Sequence, residues 1–117
     1  MYIKKIFTRI YVNDIKSSIS FYENLLGIKA SLRFTYKEKN LELASVNSIL
    51  IIAGEDKDLL PFRDTRLTIL VDSVADFKDE LLKNGSIVIR DIKKVPTGKN
   101  LTVKHPDGTV AEYVEHH

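Results

Sequence analysis

One succession of patterns occurs twice in this chain, and that internal repeat of about fifty residues limits the folds open to it. Ile6-Phe7-Thr8-Arg9-Ile10-Tyr11-Val12 is rich in β-branched and aromatic residues and reads as a strand. Its even members should face a helix-covered core, leaving Phe7, Arg9 and Tyr11 on the other face. Asp14 is placed to cap a helix over residues 15–26, where Ile15, Ile19, Tyr22, Leu25 and Leu26 fall at helical spacing before Gly27. Strands are then expected at 29–36, 41–45 and 48–53, with a polar turn at 37–40. The second half repeats this order. Arg66 to Val71 is a strand with Leu67, Ile69 and Val71 on the helix side, and Ser73 with Asp76 resembles a capping box. Val74, Phe77, Leu81 and Leu82 form a helix stripe that stops at Gly85, and Ser86 to Ile92 alternates again.

The second half closes with Leu101-Thr102-Val103-Lys104-His105, then Pro106-Asp107-Gly108, then Val110 to Glu115. Pro presets the first corner of a turn, Asp bonds back to its own backbone and Gly tolerates positive φ, so this reads as a β-hairpin. Its second strand carries Glu112 among apolar neighbours. A carboxylate so placed must meet a cation, a metal, water or a ligand. Between the halves, Gly54 to Thr65 is charged and contains Pro61, so it is expected to be an irregular connector. The Lys93 to Gly98 stretch reads as a second looser segment.

Composition narrows the function. The 117 residues suffice for one domain, residues 1–117, with module one at 4–53, a linker at 54–65 and module two at 66–115. Eighteen basic against sixteen acidic residues leave a formal charge of +2, spread along the chain, which gives no support for nucleic-acid or membrane partners. The absence of cysteine removes disulfides, thiolate metal sites and cysteine nucleophiles. No apolar run has membrane-spanning length and Met1-Tyr2-Ile3-Lys4-Lys5 lacks a signal-peptide core, so a cytoplasmic location is expected. His116 and His117 have the look of a purification tag and carry no functional weight.

The phrases Val12-Asn13-Asp14-Ile15 with Phe21-Tyr22 and Leu26-Gly27, Val71-Asp72-Ser73-Val74, and His105-Pro106-Asp107-Gly108 followed by Glu112 resemble the vicinal oxygen chelate superfamily. This group includes glyoxalase I, extradiol dioxygenases and the fosfomycin- and bleomycin-resistance proteins. The resemblance implies an α+β fold of two tandem βαβββ modules, curled into a partly open, cupped β-barrel with the helices outside. It also implies a small-molecule ligand in a central cavity and a homodimer joined through edge strands or swapped modules. Family enzymes hold a divalent metal there with His, Gln or Glu side chains. Carried onto this chain, those positions fall on Phe7, Ile51, Arg66 and Glu112. Phe and Ile offer no lone pairs and Arg is a permanent cation, so no metal site and no cofactor are expected.

Arg66 and Glu112 are instead expected to pair, the guanidinium standing where a metal would otherwise sit. Phe7, Arg9, Tyr11, Ile51, Arg66, Thr68, Leu70 and Glu112 form the expected ligand-binding set, a mostly apolar pocket with a few polar handles. The leading reading is a metal-independent binding protein for an anionic or neutral organic molecule. The alternative is a lyase or isomerase related to lactoylglutathione lyase, with Glu112 as catalytic general base. A cationic bleomycin-type drug does not suit a chain that has no Trp and aims two arginines at the pocket. His105, just before the turn, is expected at a hairpin end rather than in catalysis.

Overall fold

The computed structural model describes all residues 1–117. Both modules expected from the sequence are present, each a βαβββ unit. The first runs β1 (Ile3–Val12), α1 (Ile15–Leu26), β2 (Leu32–Tyr36), β3 (Leu41–Val46) and β4 (Ile49–Ala53). A short helix, α2 (Asp56–Leu59), follows. The second runs β5 (Thr65–Val71), α3 (Val74–Lys83), β6 (Ile87–Val95), β7 (Gly98–Lys104) and β8 (Val110–His116). The class is α+β. No helix is long and apolar enough to cross a membrane.

The chain divides into two compact units, Thr8–Asp64 and Met1–Phe7 with Thr65–His117. The expected start of module one at residue 4 therefore does not coincide with the unit boundary, which falls inside β1. Asp72 helps tie the first residues to the second unit. Its carboxylate accepts the Tyr2 N–H at 2.9 Å and lies 3.3 Å from the N-terminal ammonium, while its own N–H donates to the Tyr2 carbonyl. These contacts hold the Asp72 carboxyl below its usual range, the Tyr2 N–H contributing most.

In the unit Thr8–Asp64, β1 lies parallel to β4, which is antiparallel to β3, which is antiparallel to β2. Asp14 caps α1 by accepting the Lys16 N–H, and Gly27 ends the helix at φ +67, the left-handed conformation that a Cβ disfavours. Ile15 and Ile19 of α1 pack on Ala44, Val46, Ile51 and Ala53 of the sheet. The other unit matches: β5 is parallel to β8, and β7 and β6 add antiparallel strands. Ser73 caps α3 through the Asp76 N–H, and the Glu115 carboxylate accepts the Val74 N–H at 3.0 Å in the first turn. Its core joins Ile69, Val71, Leu101, Val103, Ala111 and Tyr113 to Val74 of α3.

Several local expectations are corrected. The connector is not wholly irregular, because the stretch after Glu55 closes a helical turn through the Leu59 and Leu60 N–H groups. The polar turn expected at 37–40 is present, as a single 3-10 turn over 37–39 ended by Asn40 at positive φ. The 93–95 part of the looser stretch belongs to β6, whose register against β7 shifts twice. Ile87 and Ile89 are exposed, whereas Val88 and Ile92 reach the core. Gly98, at φ +153, is required for a close approach: a Cβ there would sit 1.9 Å from the Glu115 carbonyl oxygen.

Candidate functional site

The sheet of each module has one face on its helix and one turned away from it. In module two the helix side takes Ile69 and Val71 of β5, Leu101 and Val103 of β7, and Ala111 and Tyr113 of β8. Alternation then places Thr68, Leu70, Asn100, Thr102 and Glu112 on the other face. Strand register lines up four of its residues in one row across the sheet. Thr68 pairs with Glu112, Glu112 with Thr102, and Thr102 with Arg90. Four neighbouring strands thus present hydroxyl, carboxylate, hydroxyl and guanidinium in succession.

Arg90 is tightly held. Its Nη2 donates to the Asn100 Oδ1 at 2.6 Å and to the Thr102 Oγ1 at 3.1 Å, and its Nη1 donates to the Asp91 carbonyl at 3.0 Å. The same Nη2 lies 3.9 Å from the Glu112 Oε2, an ion pair without a direct hydrogen bond. Both side chains are about three-quarters or two-thirds covered, so water screens this pair less than a surface one. A guanidinium whose donors are fixed in this way acts as a rigid positive charge beside the carboxylate.

Residues expected at the site are distributed as follows. Thr68, Leu70 and Glu112 share the face just described, with Leu70 opposite Val114. Phe7, half-buried, carries the Lys5 ammonium over its ring at 5.5 Å. In the other unit, Arg9 and Tyr11 lie together, the Arg9 Nη1 donating to the Tyr11 Oη at 3.1 Å and that hydroxyl donating to the Phe62 carbonyl.

Two placements are corrected. Arg66 does not pair with Glu112: the β5 register slips between Thr65 and Leu67, so Arg66 sits exposed in the bulge, while Arg90 lies beside the carboxylate. Ile51 is fully buried in the core against α1, together with half-buried Ile49, and so faces the opposite side from the expected pocket. The repeat explains this. Arg9 opposes Leu50 as Thr68 opposes Glu112, so Leu50 is the true counterpart of Glu112. A shift of one residue reverses the face a strand residue occupies.

Arg90, Asn100 and Thr102 were not among the expected site residues. Asn100 and Thr102 alternate with buried Leu101 and Val103, which marks them as the outward set of β7. Arg90 gave no such signal, because both register shifts of β6 lie beside it. His105 does lie at the hairpin end, its Nε2 2.8 Å from the Tyr113 Oη. Tyr113 stacks on Phe77, and burial raises its pKa above 10.0.

The metal expected of the wider family has no fitting donor set here. No three His, Asp or Glu side chains converge anywhere in the chain, and Phe7, Leu50 and Arg66 supply no donors to accompany Glu112. A surface cleft of about 720 Å³ lies elsewhere, lined by Asn13, Gly54 and the acidic residues 55, 56 and 58. Its polar groups are partly spent on one another, the Asn13 amide donating to the Gly54 carbonyl and the Asp56 carboxylate.

Two βαβββ modules, each presenting one sheet face away from its helix, define the fold class of this chain. The family model for the Glyoxalase/Bleomycin resistance protein/Dioxygenase superfamily matches residues 6–113, and the chain belongs to that family. It is 28% identical over 118 residues to the uncharacterised protein YwbC of Bacillus subtilis (strain 168), covering 92% of this chain and 94% of that one. An uncharacterised protein from Methanosarcina mazei has a crystal structure with 45% identity and a TM-score of 0.86, covering all of this chain and 95% of that one. Methylmalonyl-CoA epimerase from Mycobacterium tuberculosis shares the fold at 17% identity and a TM-score of 0.72, over 98% of this chain and 89% of that one.

Proposed function

We propose that this protein is a metal-independent, cytoplasmic binder of a small organic molecule, anionic or neutral, seated against the polar row of module two. The observation that carries the reading is the row Thr68–Glu112–Thr102–Arg90. Glu112 accepts a hydroxyl or amide proton from the ligand, Thr68 and Thr102 donate or accept, and the fixed charge of Arg90 favours a carboxylate or carbonyl oxygen nearby. A molecule carrying a carboxylate beside a hydroxyl or keto group matches that sequence of functions.

A thermal-shift panel of small hydroxy- and keto-carboxylates and their amides tests this. Stabilisation of the wild type that is lost in both Glu112→Gln and Arg90→Met supports the reading. Equal stabilisation of all three proteins, or no response to any member, refutes it. A second reading, an isomerase with Glu112 as general base, draws on the fold shared with the epimerases. It requires that the wild type, and not Glu112→Gln, exchange the α-proton of a bound panel member with deuterated water.

A further inference from the structure

The hydrogen bonds that hold Arg90 also decide which groups beside it are left to donate. Its Nη1 donates to the Asp91 carbonyl and, at 3.4 Å, to the Asn100 carbonyl. Its Nη2 donates to the Asn100 Oδ1 and the Thr102 Oγ1. Both terminal nitrogens are thus spent on the protein, and the guanidinium offers a ligand its charge but not its fork. Its partners are affected in the opposite sense. A guanidinium only donates, so the arm of the Asn100 amide that faces it is the carbonyl, and the NH2 arm turns away with no acceptor in the chain. The Thr102 oxygen accepts from the same Nη2, so its own proton is directed elsewhere and meets no acceptor either. Lys93 joins them. It pairs with Asn100 in the β6–β7 register, and because its neighbour Ile92 reaches the core, Lys93 lies on the outward face. It is exposed and makes no ion pair.

We propose that Asn100, Thr102 and Lys93 form an anion subsite that takes the ligand's carboxylate by direct hydrogen bonds, with Arg90 as the positioning residue that aims the first two. This rests on the reading of the module-two row as a ligand seat and moves the direct contacts from the guanidinium to the groups it orients. One nitrogen, Nη2, touches both Asn100 and Thr102, so their polar ends converge on one spot. The adjacent positive charge polarises both donors and strengthens the bonds they give. Lys93 adds a flexible ammonium with three donors and closes the subsite toward the hairpin end. A singly charged carboxylate suits the place better than a phosphate, because Glu112 lies 3.9 Å from the same Nη2 and repels added negative charge.

Titration of the labelled full chain with glycolate, a small carboxylate bearing an adjacent hydroxyl, tests this by NMR of the Asn100 side-chain NH2. Glycolamide serves as the neutral probe and inorganic phosphate as the more highly charged one. The expected result is saturable movement of that resonance by glycolate, with affinity at least about tenfold weaker for either other probe. Asn100→Asp keeps an acceptor for Arg90 but removes the donors, and Thr102→Val removes a hydroxyl without changing charge; each weakens glycolate at least about tenfold, while Thr102→Ser does not. Lys93→Met weakens it about threefold or more, whereas Lys94→Met, the next cation along β6 and on its other face, leaves it unchanged. Arg90→Lys keeps the charge but cannot hold Asn100 and Thr102 together, so it shifts the Asn100 NH2 resonance of the free protein and weakens glycolate as Asn100→Asp does. Lys93 is exposed, so an unchanged urea midpoint for Lys93→Met gives one loss of binding that misfolding does not explain. No saturable response to glycolate overturns the proposal, as does full affinity in Arg90→Lys or Asn100→Asp, or a tighter phosphate. Saturation that is lost in Asn100→Asp but survives Glu112→Gln upholds the subsite and overturns the wider reading of the row.

Discussion

Row for row, the two modules put different chemistry on equivalent frames. Module two carries Thr68–Glu112–Thr102–Arg90 across β5, β8, β7 and β6. The same register in module one gives Arg9–Leu50–Ser45–Leu32 across β1, β4, β3 and β2. The repeat thus preserves backbone pairing while exchanging a carboxylate for a leucine and a clamped arginine for another leucine. Residues around the module-one row are largely apolar too, with Leu43, Phe34 and Ile52 on the same side. Duplication of a frame does not duplicate a site. One copy carries a carboxylate with a clamped guanidinium, and the other sets leucines in those two places beside Arg9 and Ser45.

Substitutions at equivalent positions turn this contrast into measurements. The largest effect is expected at Ile51, fully buried in the helix-side core: Ile51→Ala should cost about 2–5 kcal/mol by urea denaturation. A cost well below 1 kcal/mol would mean that Ile51 is not a core residue and that the one-step register assignment fails. Next comes Arg90→Met, which strips the hydrogen bonds to Asn100, Thr102 and the Asp91 carbonyl and should cost about 1–3 kcal/mol. Leu32→Met, at the matching place in module one and 47% exposed, should stay within about 0.5 kcal/mol. Comparable losses at the two positions would remove the distinction between the rows.

Tyr113 occupies in module two the place of Ile51 and adds a hydroxyl that Ile51 lacks. Tyr113→Phe should cost about 1 kcal/mol at neutral pH through loss of the His105 contact. The sign of its pH dependence follows from burial. Because the folded pKa is raised above 10.0, the protonated phenol contributes stability that is complete below about 10 and lost as pH rises through the folded value. Denaturation midpoints should fall in that alkaline window for the wild type, and less steeply for Tyr113→Phe. Parallel slopes would show that Tyr113 is not protected from ionisation by its surroundings.

The sequence carried the fold and part of the row. Periodicity, Asp14, Ser73 and Gly27 located both long helices, and the Pro106-Asp107-Gly108 turn located the last hairpin, because each rests on local backbone chemistry. Glu112, Thr68, Arg9 and Tyr11 were legible through simple alternation in regular strands. Register irregularities hid the rest. The bulge at Arg66 removed it from the row, and the shifts in β6 concealed that Arg90 takes its place, since both depend on pairing between strands distant in sequence. Ile51 lies a single residue from Leu50, the counterpart of Glu112, and that one step exchanges one face of the strand for the other.

The claim that ligand recognition belongs to module two is tested most directly by amide NMR of the labelled protein. The titrant is the hydroxy-carboxylate that gives the largest thermal shift. The expected result is that the amides of Thr68, Arg90, Thr102 and Glu112 move most, and that Glu112→Gln abolishes saturable movement. Saturable shifts largest at Arg9, Leu32, Ser45 and Leu50, and retained in Glu112→Gln, would contradict it.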